Sequence, residues 1–465
     1  MKAPATLTLL AGLFAAAPAR ADEAIVLATD YETGYTNRLG LEAPYPRTVN
    51  LGMVCADAVV RAHGDRVYVV GRFGCDHVQV LDATQGFTTL AQWSTGNGTN
   101  PQDIEIIAPD KAYVSLYNRS DLLVVDPRSG ATLGTISLAA FADDDGLPEA
   151  AEMVRVGNRV FIAVQRLDRF DMFHANNPSF MVVVDCVTDQ AVDVNPVLPG
   201  MQAILLAGRN PFAEMIVDPV RGKILVAESG NWGALDGGIE FVDPNTLAAE
   251  GWFASEAALG GDVTAVRLWH DCTGFAVVND AAFRTKLVRF DRCTGTLLST
   301  PWQSNGFDLC DLEIDRHDQV LVSDRDLLTP GVRIFRAQDG VQVTSAPLAF
   351  GLPPCDMALV TPPTLSSVPA AESVALRLDP NTPDPFNPST QLVVHGTVGT
   401  VVQFEVLDVR GMRVRRGTAR VLDATFLRWT WDGRDDSGRT LPSGVYFARV
   451  RAGRTTCTER MTLIR

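Results

Sequence analysis

Apolar positions recur along most of this chain in short runs rich in Val, Ile, Leu and Ala, separated by polar, Gly- and Asn-rich turns. Seven of these runs open on an acidic residue: Asp57, Asp103, Glu152, Glu214, Asp262, Asp311 and Asp356. They are spaced 46, 49, 62, 48, 49 and 45 residues apart. A second run follows each turn, as in Arg66-Val-Tyr-Val-Val, Lys111-Ala-Tyr-Val-Ser and Lys223-Ile-Leu-Val-Ala. A third run ends in Asp and a turn residue, as in Val124-Val-Asp126-Pro127 and Phe241-Val-Asp243-Pro244. Several strands in a period of about 45 residues predict the blades of a β-propeller. One such small sheet cannot bury both its faces, so the repeats must stack on one another.

The seventh repeat stops after Asp356-Met-Ala-Leu-Val360, while Ala24 to Asp30 and Tyr35 to Gly40 read as second and third strands that lack a first. Joining the two ends leaves no open sheet edge. The prediction is an all-β chain: a seven-bladed propeller closed by both its ends over residues 23–361, then a Pro/Ser/Thr linker over 362–375. About seven short strands crowd into 376–465, which suits an immunoglobulin-like sandwich. Lys2, the apolar stretch Leu7 to Ala17, and Ala19-Arg20-Ala21 read as a signal peptide over 1–21. No later stretch is long and apolar enough to read as a transmembrane helix.

Charge is uneven. The whole chain has a formal net charge of −15, and removing Lys2 and Arg20 makes it −17; residues 373–465 carry 14 Arg against 9 acids, net +5, so −22 falls on the region before them. An acidic propeller disfavours nucleic acid and suits cations or basic partners. The eight Cys include no CxxC pair, which removes structural zinc, thioredoxin-like chemistry and c-type haem. In the blade register, Cys272 and Cys293 flank antiparallel neighbours, as do Cys55 and Cys75, so both pairs are expected as disulfides. Cys310 and Cys355 occupy equivalent places in adjacent blades and could also pair.

The acidic ring gathers at one rim of the channel, conventionally the top. There the carboxylates must cap amides of the next blade, pair with one another's counter-charges, or bind a cation. Three long segments reach the same rim: the link with Asp143, Asp145 and Glu149, the insertion from Arg166 to Pro178, and the loop from Gly230 to Gly238. Asp143-Asp-Asp145-Gly146 has the look of the front of a calcium loop, so Asp143, Asp145 and Glu149 are candidate Ca2+ ligands. At the strand ends around the funnel, Arg72, Tyr117, Arg119, Arg166, Glu228, Asn231, Trp232, Asp324 and Arg325 are candidate contacts for a polar ligand, a glycan or a protein. No nucleophile elbow, HExxH, Walker loop or dinucleotide glycine pattern occurs, and no catalytic residue is assigned. His77 is the one histidine placed for a test as a general base.

The aromatic-Val strands Val67-Tyr-Val-Val70 and Ala112-Tyr-Val-Ser115 resemble those of bacterial YVTN-type propellers. That family includes surface binding proteins and a few lactonases and lyases. In the tail, Asn387-Pro-Ser-Thr, Asp408-Val-Arg-Gly411, Trp431-Asp-Gly-Arg-Asp-Asp-Ser-Gly438 and Pro442-Ser-Gly-Val-Tyr446 look like the C-terminal sorting domain of type IX secretion. They are equally similar to the Ig-like domain of flagellar hook-capping proteins. The resemblance implies a Gram-negative-type bacterial protein, extracellular or on the outer-membrane surface, whose tail meets the secretion machinery. The expected function is a secreted, surface-associated binding protein with its ligand in the top funnel. A propeller hydrolase or lyase with a top-face metal and a structural envelope component are the alternatives.

Overall fold

The second strand of each repeat is buried along nearly its whole length: Lys111–Leu116, Lys223–Glu228 and Gln319–Asp324 each show one half-buried residue and then five buried ones. Unbroken burial, rather than alternation, means that both faces of the sheet are covered. Outer strands such as Thr88–Ser94 are largely exposed. The computed structural model describes residues 22–218, 221–269, 272–360, 377–379, 381–395, 401–420, 426–452 and 455–465. The expected signal peptide and the linker lie outside the described residues.

The chain divides into two units, 1–365 and 366–465. The first is a β-propeller built from antiparallel sheets in chain order. Sheet I combines the late strand Pro354–Val360 with Glu23–Thr29, Gly34–Gly40 and Arg47–Val54. Its register pairs Ile25 with Ala358 and Val26 with Met357. Sheet II runs Ala58–His63, Arg66–Gly71, His77–Asp82, Thr88–Ser94, and sheet III runs Pro101–Ala108, Lys111–Leu116, Asp121–Val125, Thr132–Ser137. Sheet IV has Ala150–Val156, Arg159–Val164 and Phe180–Asp185, with the short strands Gln190–Ala191 and Ile204–Leu205 both on the last of these. Sheet V is Ile216–Asp218, Lys223–Glu228, Gly238–Asp243, Ala248–Ser255, and sheet VI is Asp262–Leu268, Thr273–Asn279, Thr285–Asp291, Leu297–Gln303. Sheet VII has Leu309–Ile314, Gln319–Asp324 and Gly331–Arg336.

The core lies between sheets. Tyr113 and Val124 of sheet III pack with Val160 and Val182 of sheet IV. Phe161 and Val183 of sheet IV pack with Ile224 and Val226 of sheet V. Leu321 and Ile334 of sheet VII pack with Ala24 and Val26 of sheet I. Two disulfides add covalent ties: Cys55–Cys75 with Cα atoms 6.2 Å apart, and Cys272–Cys293 at 5.3 Å. Cys310 and Cys355 are thiols, the first within 3.5 Å of the Pro354 carbonyl oxygen and the second within 3.5 Å of that of Leu27.

The second unit holds a three-stranded sheet (Arg377–Leu378, Thr390–His395, Phe426–Trp431) and a four-stranded sheet (Arg413–Arg420, Val401–Leu407, Gly444–Ala452, Thr455–Leu463). Its core is Phe386, Leu392, Phe404, Trp431, Tyr446 and Met461 among others. The tail motifs have structural work in it. Asp408 accepts the N–H groups of Arg410 and Met412, and Asp435 those of Ser437 and Arg439. The buried Tyr446 donates its hydroxyl to the Pro442 carbonyl at 2.9 Å. Among the described residues no helix is long and apolar enough to cross a membrane.

Candidate binding site at the channel mouth

The loops between the second and third strands, and the links from one sheet to the next, emerge at one end of the propeller. They surround a cavity of about 720 Å3 whose wall takes residues from every sheet of the unit. Along each innermost strand, alternate side chains point into the channel. Asp103 and Glu105, or Asp311 and Glu313, therefore stack on one face.

Two arginines organise this acidic wall. Arg61 Nε lies 2.8 Å from Asp103 Oδ1, its Nη2 pairs with Glu152, and its Nη1 is 3.9 Å from Asp356. On the far side Arg267 Nη2 pairs with Glu214 and lies 2.8 Å from Glu313 Oε1. Burial raises the acids, with the arginines opposing it: Glu105 and Glu152 are pushed up to about 8 and Asp356 to about 6. Burial, reinforced by Asp356, raises Asp311 further. For Glu214 burial is outweighed by Arg267 and Arg61, which hold it below the ordinary value.

Four ring acids also tie sheet to sheet. The Asp103 carboxylate accepts the Met153 N–H at 2.8 Å, Asp311 that of Met357 at 2.9 Å, and Asp356 that of Val60 at 2.6 Å. Asp262 accepts the N–H of Gly233 from the neighbouring sheet's top loop at 2.8 Å. Asp57 pairs with Arg72 at 2.6 Å in a half-exposed position. Asp57, Glu152, Glu214, Asp311 and Asp356 border the cavity; Asp103 and Asp262 do not.

Of the funnel residues expected from sequence, Arg72, Tyr117, Asn231, Trp232 and Arg325 border the cavity. The Trp232 ring stands edge-on to Phe212 and to Phe307, with centroids 5.9 Å apart in both pairs. Arg325 lies over the Tyr31 ring at 4.2 Å. The structure places the other four away from the cavity wall. Arg119 donates to the Asn97 and Asn118 carbonyls, and Arg166 to that of Pro178. Glu228 is fully buried and accepts the Trp252 Nε1–H at 2.6 Å. Asp324 is buried against Arg333.

The long insertion of sheet IV brings Met172, Phe173 and His174 to the wall. His174 Nδ1 is 3.3 Å from Asp171 Oδ2. His77 does not border the cavity, and its Nδ1 lies 3.0 Å from the Cys75 carbonyl oxygen.

Asp143, Asp145 and Glu149, the candidate calcium ligands, are engaged by side chains of the same face. Arg169 Nε lies 3.0 Å from Asp145 and 2.7 Å from Glu149, supplying the positive charge itself. Asp143 instead accepts from Asn177 at 2.7 Å. Burial pushes Glu149 up to about 7 even so. Among the described residues, the one gathering of three acidic, Cys or His ligand atoms is Cys272, Asp291 and Cys293, whose sulfurs are joined in a disulfide.

Several solved structures are similar to this chain. A candidate 6-phosphogluconolactonase from Bacteroides fragilis is similar in structure, with a TM-score of 0.53 and 14% identity, over 73% of this chain and 98% of its own. A functionally unknown protein from Desulfotomaculum acetoxidans gives 0.50 and 13% identity, over 74% and 100%. PorZ, a surface component of the type-IX secretion system of Porphyromonas gingivalis, gives 0.42 and 14% identity over 94% of this chain. The match spans 64% of PorZ. No curated protein matches the chain. Residues 389–456 match the FlgD Ig-like domain, and the C-terminal unit is a domain of that kind.

Proposed function

We propose that this protein is an exported, surface-associated binding protein: a seven-bladed propeller, closed by both its ends, that takes its ligand at the channel mouth. The C-terminal FlgD-like domain serves as its sorting or anchoring tail toward type IX secretion. The observation that carries the binding role is the cavity of about 720 Å3, where an aromatic rim stands over ion-paired carboxylates. A few convergent polar groups beneath apolar walls are the usual composition of a ligand site. In the acidic ring, arginines and sheet-to-sheet amide bonds already engage most carboxylates, a use that favours scaffold and recognition over acid–base chemistry. Two disulfides suit an oxidising destination.

Surface protease digestion of intact cells tests the reading. The full chain is expected to be cut from outside. A chain lacking 376–465 is expected to stay folded and be protected within the envelope; equal exposure of both would remove the sorting role. For the binding role, Trp232→Ala is expected to reduce retention on isolated outer-membrane fragments, and unchanged retention would count against the cavity. Hydrolysis is the second reading, favoured by the His174–Asp171 pair at the cavity wall. Lactone turnover lost in His174→Ala would establish it.

A further inference from the structure

From the apolar rim and from two cavity carboxylates without a close arginine, we infer that the channel mouth receives a polypeptide segment: one basic side chain enters the cavity while its apolar neighbours rest on the rim. This rests on the channel mouth being the binding face.

The rim is repeated around the propeller. The loop between second and third strands carries an exposed apolar side chain in six sheets: Tyr31 (71% exposed), Phe73 (77%), Met172 (84%), Trp232, Phe283 and Leu327 (92%). In sheet III the corresponding residue is the half-buried Tyr117. Turns at the opposite end are more polar, as in Gly64-Asp65 and Asp243-Pro-Asn245, with exposed apolar side chains in two of them, Val187 and Val341. Large apolar side chains concentrated on one face mark a macromolecular contact, because water-exposed apolar area is otherwise kept scattered. The rim also extends beyond the cavity, since Phe73, Phe283 and Leu327 do not border it. A ligand that covers it must be wider than the cavity and apolar beside its polar group, as a polypeptide is and a small sugar is not.

The charge of the entering group follows from the acids. Asp57, Glu152 and Glu214 each have an arginine within 2.8 Å. Asp356 has only Arg61 at 3.9 Å, and among the described residues Asp311 has no ion pair within 4.0 Å. These two residues sit on adjacent innermost strands, and each uses Oδ2 to accept a backbone N–H. The Oδ1 atoms are left for a guest. Burial and the neighbouring Asp356 both work against the charged form of Asp311, which a guest cation would relieve. An ammonium or guanidinium group supplies that charge with N–H donors. The net −22 of residues 22–372 favours approach of a basic segment and opposes an anionic membrane.

Titration calorimetry of the full chain with acetylated, amidated Leu-Phe-Xaa-Phe-Leu peptides tests this, with Xaa as Lys, Arg, norleucine or Glu. Lys and Arg peptides are expected to bind about tenfold more tightly than norleucine, with Glu weakest. Asp311→Asn with Asp356→Asn keeps amide acceptors for Met357 and Val60, and its melting temperature reports folding. That variant is expected to lose the preference for Lys while still binding the norleucine peptide. Trp232→Ala is expected to weaken all four. Equal affinity for Lys and norleucine, or a folded double variant that still prefers Lys, would overturn the inference and leave the binding face standing. Binding of no peptide, with Trp232-dependent binding of surface polysaccharide, would also overturn it but keep that face. Binding of neither probe would remove both.

Discussion

The Asp103 carboxylate accepts the backbone N–H of Met153, 2.8 Å away on the innermost strand of the next sheet, and Arg61 binds the same carboxylate from the sheet before. One acid thereby joins three sheets. The relationship recurs without an arginine at Asp311, which reaches Met357, and with Arg61 only at 3.9 Å at Asp356, which reaches Val60. Removing Asp103 would leave a buried amide unbonded and a buried guanidinium with one partner fewer. Asp103→Ala is therefore expected to destabilise the propeller by about 3 kcal/mol in chemical denaturation. Asp57→Ala breaks a pair that is half in solvent, and should cost under about 1 kcal/mol. Equal effects at the two positions would contradict the tie between sheets.

Buried acids of the propeller, in the channel (Glu105, Glu152, Asp356) and outside it (Glu149, and Glu256 of the short helix Glu256–Leu259), make stability depend on pH in the direction opposite to ordinary acid unfolding. Burial raises Glu105, Glu152 and Glu256 to about 8, Glu149 to about 7 and Asp356 to about 6. Between roughly pH 4.5 and 8 the folded chain holds protons that the unfolded chain has released, so stability falls as pH rises. Groups held low, such as Asp435 at about 2, lose their contribution only in strong acid. The melting temperature should be higher at pH 5.5 than at pH 8. A temperature that climbs toward pH 8 would mean that these acids are ionised and paired throughout.

The repeat and the joining of the chain ends in one sheet were legible because a fully covered sheet writes itself as an acid-led strand followed by an unbroken apolar one. The site was legible only in part. Glu228 and Asp324 end second strands, next to loop positions such as Arg72 and Tyr117 in other sheets, but a strand end does not reveal which way its last side chain turns. Here both turn inward, to Trp252 and Arg333. Arg61 and Arg267 were missed because their partners are remote: Asp103 is 42 residues from Arg61 and Glu152 is 91. Only the stacking of sheets brings them together. The alternation Asp103-Ile-Glu105 and Asp311-Leu-Glu313 was the available signal that the channel carried more acid than one ring, and so needed internal counter-charge.

Arg169 decides how the acidic link behaves toward calcium. With Arg169 held between Asp145 and Glu149, adding calcium or a chelator should leave the melting temperature of the natural chain unchanged. Arg169→Gln removes the counter-charge from a Glu149 that is fully buried and is expected to cost about 3 kcal/mol. A calcium-dependent rise in the natural chain would show that Arg169 yields its place to the ion.

The two units should unfold separately. The C-terminal core, from Phe386 and Leu392 through Trp431 and Tyr446 to Met461 and Leu463, draws its buried residues from its own two sheets and the segment beside them. The clusters between propeller sheets are likewise confined to residues before 361. Each core can therefore be buried without the other, which is the condition for independent folding. Calorimetry of the full chain is expected to resolve two transitions. Deleting 366–465 should remove one and leave the other at its original temperature, and Trp431→Ala should lower only the transition that the deletion removes. A fall in the propeller transition on either change would mean that its stability draws on the tail.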